Sequence, residues 1–189
     1  VLVCLLMIGP CSFAGTGTTT ALLHTRVLGA RTSGMGNAFS AIEGDVNSLL
    51  LNPATIATLT QSQISFLYSN LGPVFDVQGA GDMYHGLVLY GIPWGKESAI
   101  ALGCQYEEQG KVSYTTESPE VIATYNLGAN YSILLSYARR ISPHVMFGVT
   151  PKLIHTQLWE YEDTGFAIDA GFLYQLENIN IGFSINNVG

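Results

Sequence analysis

Between Asn126 and Ala138 nearly every second residue is apolar, and no other feature narrows the possible folds so far. Leu127, Ala129, Tyr131, Ile133, Leu135 and Tyr137 fall on one side of an extended chain. Asn126, Gly128, Asn130, Ser132 and Ser136 fall on the other, interrupted only by Leu134 and Ala138. Successive side chains of a strand point to opposite faces, so this spacing predicts a strand with one greasy, aromatic-tipped face and one small, polar face. The pattern recurs. Ile64, Phe66 and Tyr68 alternate with Ser65, Leu67 and Ser69, and a less tidy run covers His85 to Pro93. Ile100, Leu102, Cys104 and Tyr106 share a face. Val145, Phe147 and Val149 oppose Gly148, Thr150 and Lys152; Phe166, Ile168, Ala170, Phe172 and Tyr174 oppose Asp169, Gly171 and Gln175. Ile179, Ile181, Phe183 and Ile185 oppose Asn180, Gly182, Ser184 and Asn186.

Two all-β architectures satisfy such alternation. A soluble exported sandwich that binds a partner would turn the apolar face into a core. A transmembrane β-barrel would turn it into lipid. Two features favour the barrel. The polar face is mostly small and uncharged, unlike the Lys/Glu-rich outside of a soluble sheet, and only 11% of the chain is charged. Aromatics also gather at strand ends (Tyr68, Tyr106, Tyr125, Tyr137, Trp159, Tyr161, Tyr174), where an interfacial girdle belongs. No apolar run reaches the roughly 18 residues of a spanning helix.

The connections alternate in length. Leu71 to Met83 and Glu108 to Thr124 are long; Trp94 to Glu97, Arg140 to His144 and Glu177-Asn178 are short. Outer-membrane barrels pair short periplasmic turns with longer external loops. Asp76, Asp82, Glu107, Glu108, Glu117, Glu120, Glu160, Glu162 and Asp163 then gather toward the external end. Seven strands are expected. Bacterial barrels close with an even number, so the expectation is a fragment, about half of a larger barrel.

Ahead of the strands lies Gly29 to Ala57, with Gly29, Gly34 and Gly36 close together. Glycines permit tight turns and close packing. Asp45 stands before an apolar run and is placed to cap a short helix. Asn52 is placed to cap a second turn begun by Pro53. The result is a compact, kinked helical segment.

These residues carry a resemblance. Gly29-Ala30-Arg31, Gly34-Met35-Gly36, Ala38-Phe39, the acid Asp45 and then Asn52-Pro53-Ala54 resemble the N-terminus of FadL-like outer-membrane barrels, closest to the PorV/PorQ branch. Gly148 to Lys152, Asp169 to Tyr174 and Asn186 to Gly189 resemble later strands of that family, although Thr55 stands where the family usually has glycine. The resemblance implies a fourteen-stranded barrel with a plug (hatch) that includes Gly34, Gly36, Asp45, Asn52, Pro53 and Ala54. It implies passage of apolar small molecules across the outer membrane of a Gram-negative-type bacterium. Alternatively it implies a PorV-like part in secretion and surface attachment of proteins. The partners it implies are outer-membrane lipid, hydrophobic small molecules or secretion-system proteins.

The resulting expectation is an export signal at residues 1–14, a plug segment at 15–60 and barrel strands at 61–189. Val1 to Ile8 is an apolar core and Ser12-Phe13-Ala14 a cleavage site of small-x-small type. Cys11 offers a lipoprotein alternative, and Cys104 would stand alone after cleavage, so no intrachain disulfide is expected. The formal net charge of −7 leaves no basic patch for nucleic acid. No cofactor, metal site or enzyme activity is expected. His24, His85, His144 and His155 are scattered without ligand spacing and read as surface or loop residues. The serines lack a G-x-S-x-G elbow, and Gly34-x-Gly36 precedes no nucleotide-binding unit. Lys152 and Asp169 are the two charges expected to point into a lumen, where they could pair, anchor the plug or line a pore.

Overall fold

The computed structural model describes residues 29–70, 83–115, 121–159 and 161–189. The expected signal segment and the acids Asp76, Asp82, Glu117, Glu120 and Glu160 lie outside the described residues. A one-turn helix, α1 (Ala30–Gly34), is followed by two 3-10 turns, Val46–Leu50 and Pro53–Thr58. The strands are β1 (Gln63–Asn70), β2 (Tyr84–Trp94), β3 (Ser98–Glu108), β4 (Lys111–Thr115), β5 (Val121–Asn126), β6 (Gly128–Ser142), β7 (Val145–Leu158), β8 (Tyr161–Gln175) and β9 (Asn180–Val188).

Seven of these form one sheet in the order β1-β2-β3-β6-β7-β8-β9, with every neighbouring pair antiparallel. The sheet is open, not closed into a barrel. β4 and β5 make a separate hairpin inside what the sequence presents as a long loop. It continues from the ends of β3 and β6 through Gln109 N–H to the Gly128 carbonyl and Leu127 N–H to the Gly110 carbonyl, both 2.9 Å.

Burial follows the period-two pattern residue by residue. Along β6, Asn130, Ser132, Leu134, Ser136 and Ala138 are buried, while Tyr131, Ile133, Leu135, Tyr137 and Arg139 are exposed. We call the buried side the inner face. The two apolar interruptions of that face, Leu134 and Ala138, belong to its core, with Leu87, Leu89, Ala99, Ala101, Met146 and Leu173. Against them pack Val46, Leu49, Ala54, Ile56, Ala57 and Leu59 of the N-terminal segment. Full burial of a Val, Leu or Ile side chain contributes about 1.5–3 kcal/mol, so this seam is the main apolar adhesive of the described fold.

Pro151 lies within β7 and has no N–H to offer. The β6–β7 ladder is broken there, between the Leu134–Lys152 and Tyr137–Val149 pairs. A hydrogen bond from Thr150 Oγ1 to Ser136 Oγ, 2.8 Å, bridges the gap on the inner face.

Three glycines let the N-terminal backbone lie directly on the sheet. A Cβ on Gly148 would meet the Pro53 carbonyl carbon at 2.5 Å. One on Gly171 would overlap Asn52 Oδ1, and one on Gly182 the Ser40 carbonyl oxygen. Gly148 and Gly171 are register partners, so they form one continuous shallow track across β7 and β8. Gly171→Val should therefore lift the segment off the sheet at a cost of about 1–3 kcal/mol, the usual range for overpacking. Limited proteolysis should then cut within residues 36–60, whereas Gly165→Val, whose Cβ meets nothing within 4 Å, should leave that region protected.

Candidate functional site: the inner face and the segment on it

Each cap in the N-terminal segment is made by the side chain whose type suits it. The Asp45 carboxylate accepts from the Asn47 backbone N–H at 2.9 Å and the Asn47 side-chain amide at 2.8 Å, starting the first 3-10 turn. Asn52 starts the second, accepting from Ala54 N–H at 3.1 Å. Its amide nitrogen also donates to the Ser40 carbonyl at 2.7 Å and to the Phe172 carbonyl of β8 at 3.0 Å. One fully buried amide thus caps a turn, closes the segment on itself and ties it to the sheet. Further ties are Asn186 Nδ2 to the Leu51 carbonyl at 3.1 Å, Ser65 Oγ to Asn47 Oδ1 at 2.7 Å, and Asn180 Nδ2 to the Glu43 carboxylate. Gly34 ends α1, Gly36 takes a φ of 64°, and a Cβ on either would meet open space. They shape the turn without touching the sheet. Pro53 and Ala54 lie over Gly148 and Gly171.

Lys152 and Asp169 come together on the inner face. Lys152 Nζ lies 2.6 Å from Asp169 Oδ2, with side-chain exposures of 7% and 0%. Asn187, in a left-handed turn at φ 58°, completes the group. Its N–H donates to Asp169 Oδ1 at 2.8 Å, and its side-chain oxygen accepts from Lys152 at 3.0 Å. Residues from β7, β8 and β9 thereby form one compensated cluster. Removing one charge of such a buried pair strands the other, at about 3–5 kcal/mol.

A second polar pair was not foreseen. His85 is buried, not at the surface, and its Nε2 lies 2.5 Å from Glu107 Oε1. Glu107 lies toward the end where an acidic rim was expected, but its carboxylate faces inward. The signal was parity. His85 shares its face with Leu87 and Leu89, and Glu107 with Ala101 and Gly103, as strand alternation requires. Among the described residues, no group of three or more His, Cys, Asp or Glu side chains is set to hold a metal ion.

The Asp45 carboxyl is displaced by its surroundings. Burial alone would raise its carboxyl, but the hydrogen bonds from Asn47 and the nearby Arg31 guanidinium, 2.7 Å away, outweigh it. They hold it below the ordinary 3.8. A carboxyl depressed in the folded state stabilises above its unfolded value and loses that contribution as pH falls through the folded one. The first 3-10 turn should therefore loosen below about pH 4. Asp45→Asn retains a good cap but cannot titrate. Protection of the Asn47 and Ser48 amides, measured as exchange relative to the intrinsic rate at each pH, should fall toward low pH less steeply in the variant than in the parent. No protein-family model matches this sequence, and neither does any curated protein.

Proposed function

We propose that this sheet is part of an outer-membrane β-barrel of FadL-like type, which passes apolar small molecules, and that the N-terminal segment is its plug. The observation that carries the proposal is the outer face. Ile64, Phe66, Tyr90, Leu102, Ile133, Leu135, Phe147, Phe166, Ile168, Phe172, Ile181, Phe183 and Ile185 all lie there with a third or more of their surface exposed. They run across the whole width of the sheet. A soluble monomer rarely exposes an apolar patch beyond a few hundred Å². A sandwich would need a second layer over it, and among the described residues none covers it. Lipid suits such a face without further protein.

Dimensions and polarity agree. β2, β3, β6, β7 and β8 are 11, 11, 15, 14 and 15 residues long, enough for the roughly 9–11 residues of a tilted membrane strand. The inner face holds the Lys152–Asp169–Asn187 cluster, and backbone groups of Ala41, Gly44, Val46 and Leu51 in the segment on it are hydrogen-bonded to strand side chains, which suits a dry or narrow lumen. In a closed barrel the segment would obstruct the passage and have to shift for a solute to pass. The sheet's open edges, β1 and β9, would be paired in the closed form.

Ile133→Arg separates lipid from water. On a water-exposed surface an arginine at a 55%-exposed position is harmless. In mid-membrane it costs about 2–4 kcal/mol. Loss of the chain from the outer-membrane fraction, with Ile133→Leu retained there, is the expected result; normal accumulation of the arginine variant in a soluble fraction would sink the membrane reading. Gating has its own test. In planar bilayers the full-length protein lacking residues 29–57 should conduct more than the parent, and Gly171→Val, which displaces the segment without removing it, should shift conductance the same way. Inserted variants that conduct no more than the parent would show that the segment is not a plug.

A further inference from the structure

The strand ends opposite the short turns carry a second feature, which does not rest on the barrel reading. A cleft of about 180 Å³ opens there on the outer face, lined by Tyr106, Glu108, Asn126, Tyr131, Gln157 and Trp159 together with the backbone at Gly128 and Ala129. The ends of β3, β5, β6 and β7 converge to build it. Gly128 makes the convergence possible: at φ 154° it lies so close to β7 that a Cβ would overlap the Gln157 carbonyl.

We propose that this cleft binds one ring of a saccharide. The aromatic walls are already oriented. Tyr106 and Tyr131 have ring centroids 5.1 Å apart with planes tilted by 40°. Trp159 leans on Tyr125 at 5.2 Å, tilted by 37°. Trp159 holds a left-handed backbone conformation, φ 57°, in the turn between β7 and β8, with its N–H on the Leu127 carbonyl at 3.3 Å. A bulky residue in that region is strained, and Gly or Asn would fit the turn at less cost. That turn sets an indole, 62% exposed, at the rim. Negative aromatic faces attract the polarised C–H edge of a pyranose. Beside them, the Asn126 and Gln157 amides and the Glu108 carboxylate offer donors and acceptors for its hydroxyls.

Other chemistries fit less well. Phosphate would meet Glu108 with no Lys or Arg in the lining. A quaternary ammonium would make no use of the two amides. A plain acyl chain would strand the polar groups. The volume is below the roughly 300–1,000 Å³ of whole-ligand pockets, so one ring enters and the remainder of the glycan stays outside. The ring could belong to a free glycan or to the headgroup of a glycolipid.

The test uses the full chain in detergent micelles or lipid nanodiscs. The other tryptophan, Trp94, ends β2 at the opposite end of the sheet, so Trp94→Phe isolates Trp159 emission. A glucosamine disaccharide is titrated against this protein, and nanodiscs with and without a glucosamine-disaccharide glycolipid are compared. A saturable emission change with the disaccharide supports a site for free glycan. A change with glycolipid discs but not plain phospholipid discs supports a headgroup site. In either case Tyr131→Ala should weaken the response about tenfold, and Gln157→Leu, which keeps the strand's bulk, should weaken it while leaving unliganded emission unchanged. No saturable response in either arm, an equal response to plain discs, or a response indifferent to both substitutions overturns the proposal.

Discussion

The structure depends on a close contact between two backbones. Residues 52–54 lie directly against β7 and β8, because positions 148 and 171 are glycine and the strands put no side chain in the way. That approach lets a single amide, on Asn52, reach the Phe172 carbonyl while capping its own turn. It also brings Val46, Leu49 and Ile56 within reach of Leu87, Leu89 and Leu134. Hydrogen bonding and apolar burial are therefore not independent here. A bulky side chain on the track would forfeit both, leaving an inner face with leucines and no cover.

The inner face is accordingly divided by chemistry. The segment covers the half that is apolar and small, around Ala99, Ala101, Ala138 and Leu173. Ionisable partners occupy separate positions, Lys152 with Asp169 at 2.6 Å and His85 with Glu107 at 2.5 Å. Each of these buried groups has a polar partner in contact, which is how so weakly charged a chain tolerates them inside it at all.

The sequence made the seven main strands legible because alternation is a local signal, readable within ten residues. It made the caps at Asp45 and Asn52 legible for the same reason. It also showed Lys152 and Asp169 on the polar side of their strands, though not that Asn187 would join them. What it concealed was long-range. Leu134 and Ala138 looked like flaws in a polar face, yet they are where the segment docks. Gly148, Gly171 and Gly182 looked like small polar-face residues; their partners lie about 95 to 140 positions away. Histidine spacing says nothing of His85, whose inward position follows from strand parity. The β4–β5 hairpin escaped because its strands, five and six residues long, are too short for alternation to stand out.

The strand order has a further consequence for symmetry. With seven antiparallel strands in sequence order, β1 and β9 run in the same direction. Two sheets of this kind set side by side in one orientation would meet with parallel edges, β9 against β1. A ring assembled from identical copies would therefore contain a parallel seam at every junction. An antiparallel seam requires a neighbour whose edge strands run the other way, which a copy offers only when turned end for end; with every sheet in one orientation, strand direction selects a non-identical complement.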